Sequence, residues 1–128
     1  MAAKPKLKQE EDRIQGEIID LLKVSAIPDL LYFSVPNGGR RAWKTAVAMK
    51  DTGQLEGMTD LVLIHPLSLI AHCMEVKTKD GSLSKAQRKI RDLCKELGIP
   101  WAVVRSRDEA QDQLTKWGML RVRNAVPA

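Results

Sequence analysis

Cysteine is nearly absent from this chain of 128 residues: Cys73 and Cys94 are the only two, and no Cys-x-x-Cys occurs. That excludes a disulfide scaffold and a zinc ribbon, and it fits a reducing, cytoplasmic compartment. Histidine is equally scarce, with His65 and His72 alone, so a His-based triad or a two-His metal site finds little support. No apolar run approaches the roughly 18 residues of a membrane span. The charged segment Met1 to Lys8 has no apolar stretch behind it, which argues against a secretory leader. What remains is an ordinary globular composition, 44% hydrophobic and 29% charged. The length supports one core.

Charge is present in excess of one sign. Lys plus Arg number 21 against 16 Asp plus Glu, a formal net charge of +5. The distribution says more than the total. Between Asn37 and Lys50 stand Arg40, Arg41, Lys44 and Lys50 with no acid, and between Lys77 and Lys95 stand seven basic residues and two acids. Such clusters suit a polyanionic partner; a solvated helix face is the alternative for either one alone.

Periodicity divides the chain into alternating elements. Residues 1–8 read as a basic arm. Ile14, Ile18, Leu21 and Leu22 recur at helical spacing and predict a helix over about 9–24, with Glu10, Glu11 and Asp12 placed to complement its dipole. Leu30 to Val35 reads as a strand, Asn37-Gly38-Gly39 as a turn and residues 40–49 as a short helix. Thr59 to His65 and Leu69 to Lys77 read as strands joined by a turn at His65 to Ser68. A helix follows over 84–97, opened by the capping-box pattern Ser84-x-x-Gln87 and closed by Gly98 and Pro100, with Ala86, Ile90, Leu93, Cys94 and Leu97 as its apolar stripe. A short strand over 101–104 and a helix over 108–117 complete the domain, and 118–128 reads as a tail. The expected fold is α/β, a mixed central sheet of about four strands flanked by helices, with the domain spanning 9–117.

The central hairpin carries the chemistry. If Leu67 and Ser68 lie at its centre, paired residues have numbers summing to 135, and Asp60 falls opposite Glu75 on one face. A slip of one residue would separate them. Glu75 and Lys77 share a face because strand side chains alternate, while Leu61, Leu63, Met74 and Val76 take the other. Two adjacent carboxylates in an apolar hairpin repel each other unless something offsets the repulsion. A divalent cation with oxygen ligands does so, and an adjacent ammonium suits phosphoryl chemistry. The same residues also read as a surface Asp and a Glu–Lys neighbour pair.

Thr59-Asp60, then fourteen intervening residues, then Glu75-Val76-Lys77 resembles the signature of the PD-(D/E)xK nuclease superfamily. More of the chain resembles one branch, the VRR-NUC domains (virus-type replication-repair nucleases). The matching segments are Glu11-x-x-x-Gln15, Val35-Pro36-Asn37-Gly38-Gly39, Gly57-Met58-Thr59-Asp60, Glu75-Val76-Lys77, Gly81-x-Leu83-Ser84-x-x-Gln87 and Val103-Val104-Arg105-Ser106 through Glu109-Ala110. They cover about residues 10–115, in the family's order. The one departure is Thr59, where the family has proline. The resemblance implies a restriction-endonuclease-like core and a metal-dependent DNA endonuclease. It implies that Asp60 and Glu75 ligate Mg²⁺ or Mn²⁺ with the Val76 carbonyl, and that Lys77 is the catalytic lysine. Glu11 would approach the metal, through water, and Gln87 would be the helix glutamine beside the site. Glu11 as a dipole-complementing acid and Gln87 as a capping-box partner remain open alternatives.

Asn37, Gly38, Arg40, Arg41, Lys44, Lys79, Lys85 and Arg88 are the candidate nucleic-acid contacts. No base-reading motif occurs, so cleavage directed by DNA structure, as in a Holliday-junction resolvase, is expected over cleavage directed by sequence. Two opposing cuts on branched DNA call for a homodimer, with Trp43, Ala46, Val47 and Met49 as its candidate surface. A bacterial or phage-infected cell is the expected setting. A non-catalytic DNA-binding module and a nuclease of RNA are the competing functions, and His65 and His72 are expected to be structural.

Overall fold

A computed structural model describes residues 3–36, 53 and 55–122, with side chains from Leu7 onward. The expected turn at 37–39 and helix at 40–49 lie outside the described residues, as do Asn37, Gly38, Arg40, Arg41, Lys44, Trp43, Ala46, Val47 and Met49. The described elements run α1 (Ala3–Ser25), β1 (Leu31–Ser34), β2 (Leu61–Ile64), β3 (Ala71–Val76), α2 (Lys85–Leu97), β4 (Trp101–Val104) and α3 (Arg107–Lys116). The four strands form one mixed sheet in the order β1-β2-β3-β4. The first two pairings are antiparallel and the β3–β4 pairing is parallel, which requires the crossover that α2 provides.

Alternation along the strands sorts side chains onto two faces. Leu61, Leu63, Met74, Val76 and Val104 point to one face and bury against Ile14, Ile18, Leu21 and Leu22 of α1 and Ala110 and Leu114 of α3. The opposite face carries Cys73, covered by Ile90 and Cys94 of α2, with Met58, Ile99 and Trp101 around them. The β2–β3 register pairs Leu61 with Met74 and Ile64 with Ala71, so the expected sum of 135 holds. The connection is longer than expected, six residues rather than four, because β3 begins at Ala71. Leu69 within it takes a left-handed φ of 62°.

Three boundaries differ from expectation. Helix α1 begins at Ala3 and absorbs most of the segment read as a basic arm. Pro5 falls in the first turn, where a helix has no use for an amide donor, and Lys8 pairs with Asp12 one turn on at 3.2 Å. The early acids therefore lie beyond the first turn and do not complement the dipole; Glu10 pairs with Arg13 instead. The stripe of α2 is narrower than its sequence pattern. Ile90 and Cys94 are buried, but Leu93 and Leu97 are exposed; α2 packs on β4, which among the described residues is an edge strand. Finally, the expected tail begins inside the fold. Met119 is wholly buried in the main core. Its carbonyl accepts from Ile27 N–H at 3.0 Å, and Arg121 N–H donates to the Ser25 carbonyl at 2.7 Å.

Both histidines are structural. His65 Nδ1 accepts from Leu67 N–H, which leaves Nε2 to donate to the Gly118 carbonyl. His72 is buried edge-on to Trp117, with centroids 5.0 Å apart.

Met119→Ala should cost about 2–5 kcal/mol in urea unfolding, the range for emptying a full core position. A cost under about 0.5 kcal/mol would mean that residues 118–122 do not belong to the folded unit.

Candidate active site

Asp60 immediately precedes β2, and the ladder that pairs Leu61 with Met74 brings it level with Glu75, one step further on. Two backbone contacts hold it there. Its carbonyl accepts from Val35 N–H at 2.8 Å, and its carboxylate Oδ2 accepts from Val76 N–H at 2.8 Å. Thr59, wholly buried, donates its hydroxyl to the Leu61 carbonyl at 3.3 Å.

Glu75 is 1% exposed on the α2 face of the sheet. Gln87 Nε2 donates to its Oε1 at 2.6 Å, whereas Oε2 is buried without a hydrogen-bond partner. Gln87 also accepts from Ser84 N–H through its Oε1 at 2.8 Å, while Ser84 Oγ accepts from Gln87 N–H. Gln87 therefore caps α2 with one end of its amide and holds Glu75 with the other. Gly57 sets the distance between them. A Cβ there would sit 2.5 Å from the Ala86 carbonyl, and its φ is +82°, so only glycine lets the loop before Asp60 touch the first turn of α2.

Lys77 continues β3 toward α1, and its Nζ lies 4.0 Å from Glu11 Oε2, with both side chains largely shielded. The Glu11 that sequence placed near a helix start stands more than two turns inside α1 and meets Lys77 just beyond the end of β3. Burial holds its carboxyl above the usual range, Lys77 works against that shift, and Asp60 adds to it. The Glu75 carboxyl is pushed up to about 9, first by burial and next by the charge of Asp60, with Lys77 opposing.

Asp60, Glu75, Lys77, Glu11 and Gln87 therefore converge from α1, the β2–β3 ladder and α2. Among the described residues no three His, Cys, Asp or Glu side chains are arranged to hold an ion by themselves. The donors on offer are two carboxylates, the Val76 backbone and Glu11 at a remove. That set matches an ion that keeps several waters, and the orphaned Glu75 Oε2 is an acceptor that such an ion would satisfy. Of the candidate nucleic-acid contacts, Lys79, Lys85 and Arg88 are exposed beside the site. Arg88 is partly committed, donating to the Leu83 carbonyl at 2.8 Å. Sequence reasoning quoted Arg105 within the Val103-Val104-Arg105-Ser106 segment but gave it no role; its Nη1 donates to the Thr78, Lys79 and Gly81 carbonyls at 2.7, 3.4 and 2.5 Å. A lone Arg at a strand end carries no sequence signal for such a contact.

The sequence model of the VRR-NUC domain family matches residues 21–108, more than half of the chain. A solved structure described as a VRR-NUC domain superposes with a TM-score of 0.57 at 19% identity, over 84% of this chain and 95% of that one. At that identity the likeness speaks to the fold alone. No curated protein matches the chain.

Glu75 also predicts how the metal-free protein responds to pH. Its folded pKa lies above the unfolded value, so the folded state binds the extra proton between about pH 4.5 and about pH 9. Stability from this group is complete below that window and is lost as pH rises through it. In EDTA the melting temperature should fall across the window, and Glu75→Gln should flatten the slope. An unchanged slope in Glu75→Gln would remove Glu75 as its source.

Proposed function

Since the chain belongs to the VRR-NUC domain family, a nuclease-type family, we propose that it is a divalent-metal-dependent endonuclease that cleaves DNA, selecting branched structures. The observation that carries this reading is Glu75: a carboxylate buried in an apolar sheet, level with Asp60, with one oxygen unpartnered. Fold stability alone gives no reason to keep such a group. A second carboxylate beside it makes the arrangement costlier still.

In this reading Asp60 and Glu75, with the Val76 carbonyl and Glu11 through water, would hold Mg²⁺ or Mn²⁺. Such an ion supplies Lewis-acid polarisation of a phosphoryl oxygen and an acidified water. The chain's own residues do the rest. Gln87 fixes the plane of the Glu75 carboxylate and is itself fixed by the cap of α2, so this ligand is oriented before substrate arrives. Lys77 brings a compact ammonium to the same end of the sheet, where it offsets charge developing on the scissile phosphate. Glu11 restrains that ammonium. Lys79, Lys85 and Arg88, with Asn37, Gly38, Arg40, Arg41 and Lys44, would follow the phosphate backbone without reading bases. Among the described residues no helix is long and apolar enough to cross a membrane.

Labelled four-way junctions, flaps and duplexes incubated with Mg²⁺, Mn²⁺ or EDTA test the reading. Cleavage should require metal and favour branched DNA. Asp60→Ala and Glu75→Ala should abolish it with the fold intact, and Lys77→Ala should slow it by about 10²–10³. Near-normal cleavage by Asp60→Ala would refute the site. Binding without cleavage under every metal would favour a non-catalytic module, and cleavage confined to RNA would change the substrate class.

Opposing cuts on a junction need two sites, and one chain carries one. The reading therefore includes a homodimer, with Trp43, Ala46, Val47 and Met49 as its proposed surface. Light scattering at micromolar concentration should give twice the mass of the chain; a single-chain mass would exclude the stable dimer.

A further inference from the structure

The connector between β3 and α2, residues 77–84, joins the two ends of the site. Lys77 begins it, and the cap that aims Gln87 ends it. Such a connector would be free to shift were its carbonyls held only by water. Instead Arg105, the first residue after β4, reaches across and gathers three of them: Thr78 at 2.7 Å, Lys79 at 3.4 Å and Gly81 at 2.5 Å. Arg105 is in turn fixed at its own backbone, where its N–H donates to Glu109 Oε1 at 2.9 Å, one turn into α3. The parallel ladder continues up to this point, since Lys77 N–H donates to the Val104 carbonyl at 3.0 Å.

The gathered carbonyls bear directly on the lysine. A Cβ on Gly81 would stand 3.6 Å from Lys77 Cδ and 2.9 Å from Thr78 Oγ1. The Lys77 stem therefore passes beside Gly81 with little more than a methyl group's room between them, and Arg105 holds both the Gly81 carbonyl and the carbonyl of Thr78, the residue that follows Lys77. Thr78 is buried, and its hydroxyl has no hydrogen-bond partner. The side chain of Thr78 therefore anchors the connector by packing alone, and its carbonyl is held both by Gly81 N–H at 3.2 Å, which closes a turn within the connector, and by Arg105 from outside it.

We propose that Arg105 is a positioning residue for Lys77: by clamping the Thr78, Lys79 and Gly81 carbonyls it fixes the backbone that supports the lysine stem and so aims the ammonium. This rests on the nuclease reading above. It assigns Arg105 no contact with substrate and no place among the metal donors. Its charge is spent on backbone carbonyls rather than on phosphate, which distinguishes it from Lys79 and Lys85. All three contacts leave from Nη1, so an ammonium brought near the same point would keep some of them, and lysine should replace it in part.

A double-mutant cycle with Lys77 on the full chain tests the proposal. Single-turnover cleavage of a labelled junction in saturating Mg²⁺ is compared for the wild type, Arg105→Ala, Lys77→Ala and the double variant. Junction affinity is measured in Ca²⁺ by anisotropy. Arg105→Ala should slow cleavage about 10- to 100-fold, the scale of a misplaced reacting group, and leave affinity within twofold. In the Lys77→Ala background the same change should cost little more, and Arg105→Lys should recover part of the rate. Should Arg105→Ala fail to fold, Arg105→Lys carries the same cycle. An equal loss in both backgrounds would mean that Arg105 acts independently of Lys77. A loss of affinity with a shallower salt dependence would make it a phosphate contact. Either result overturns the proposal, as does full activity. A wild type inert on every nucleic acid would instead overturn the nuclease reading, and this inference with it.

Discussion

Burying one carboxylate between two layers is the constraint around which this structure is arranged. Glu75 sits in a strand whose other residues, His72 apart, are apolar, against a helix that buries Ile90 and Cys94 on the same face of the sheet. An uncompensated charge there would cost several kcal/mol. Two contacts limit that cost, the amide of Gln87 on one oxygen and the proximity of Lys77, and burial beside Asp60 pushes the carboxyl up to about 9, so that a proton offsets the rest. Each contact makes a demand elsewhere. Gln87 reaches only because α2 is capped at Ser84 and because Gly57 lets the preceding loop touch Ala86. Lys77 arrives because β3 runs on past its last paired residue. The sheet order and the parallel position of β4 follow, since α2 must cross over to cover the face that Glu75 occupies.

The two faces of the sheet divide the labour. The α1–α3 face is a continuous apolar core with Ile18, Leu61, Leu63, Met74, Leu114 and Met119 fully buried. The α2 face has a smaller cluster about Cys73, Ile90 and Cys94 and leaves the end of β3 to polar groups. Stability is thereby concentrated away from the site. This is the usual arrangement where a fold must tolerate strained or repelling charges.

Much of this was legible in the sequence, for reasons specific to each element. The β2–β3 register could be read because alternation and a turn centred at Leu67 and Ser68 together allow one pairing that buries Leu61, Leu63, Met74 and Val76. Helix α2 announced both its ends through Ser84, Gln87 and Gly98. The start of α1 could not be read, because its first turns carry charged residues without apolar periodicity and Pro5 looks like a breaker. Met119 was hidden for the opposite reason: a short apolar pair after Gly118 has no period at all, and only tertiary contact with the end of α1 explains its burial. In the site, Asp60, Glu75 and Lys77 were visible because a ladder converts sequence distance into spatial position. Arg105 was not visible, because its partners are carbonyls, and every residue has one.

The pairing of Leu61 with Met74 also governs how a chain of this kind can vary in length. Fourteen residues separate Asp60 from Glu75, yet six of them form the loop at 65–70, which lies outside the ladder and can grow or shrink without moving either acid. A single residue inserted within β2 or β3, between the loop and the acids, instead rotates one carboxylate to the opposite side of the sheet. The conserved quantity is therefore a parity of strand steps rather than a count of residues. A pattern written with fixed spacing would miss relatives that a pattern counting paired positions outward from the turn would recover.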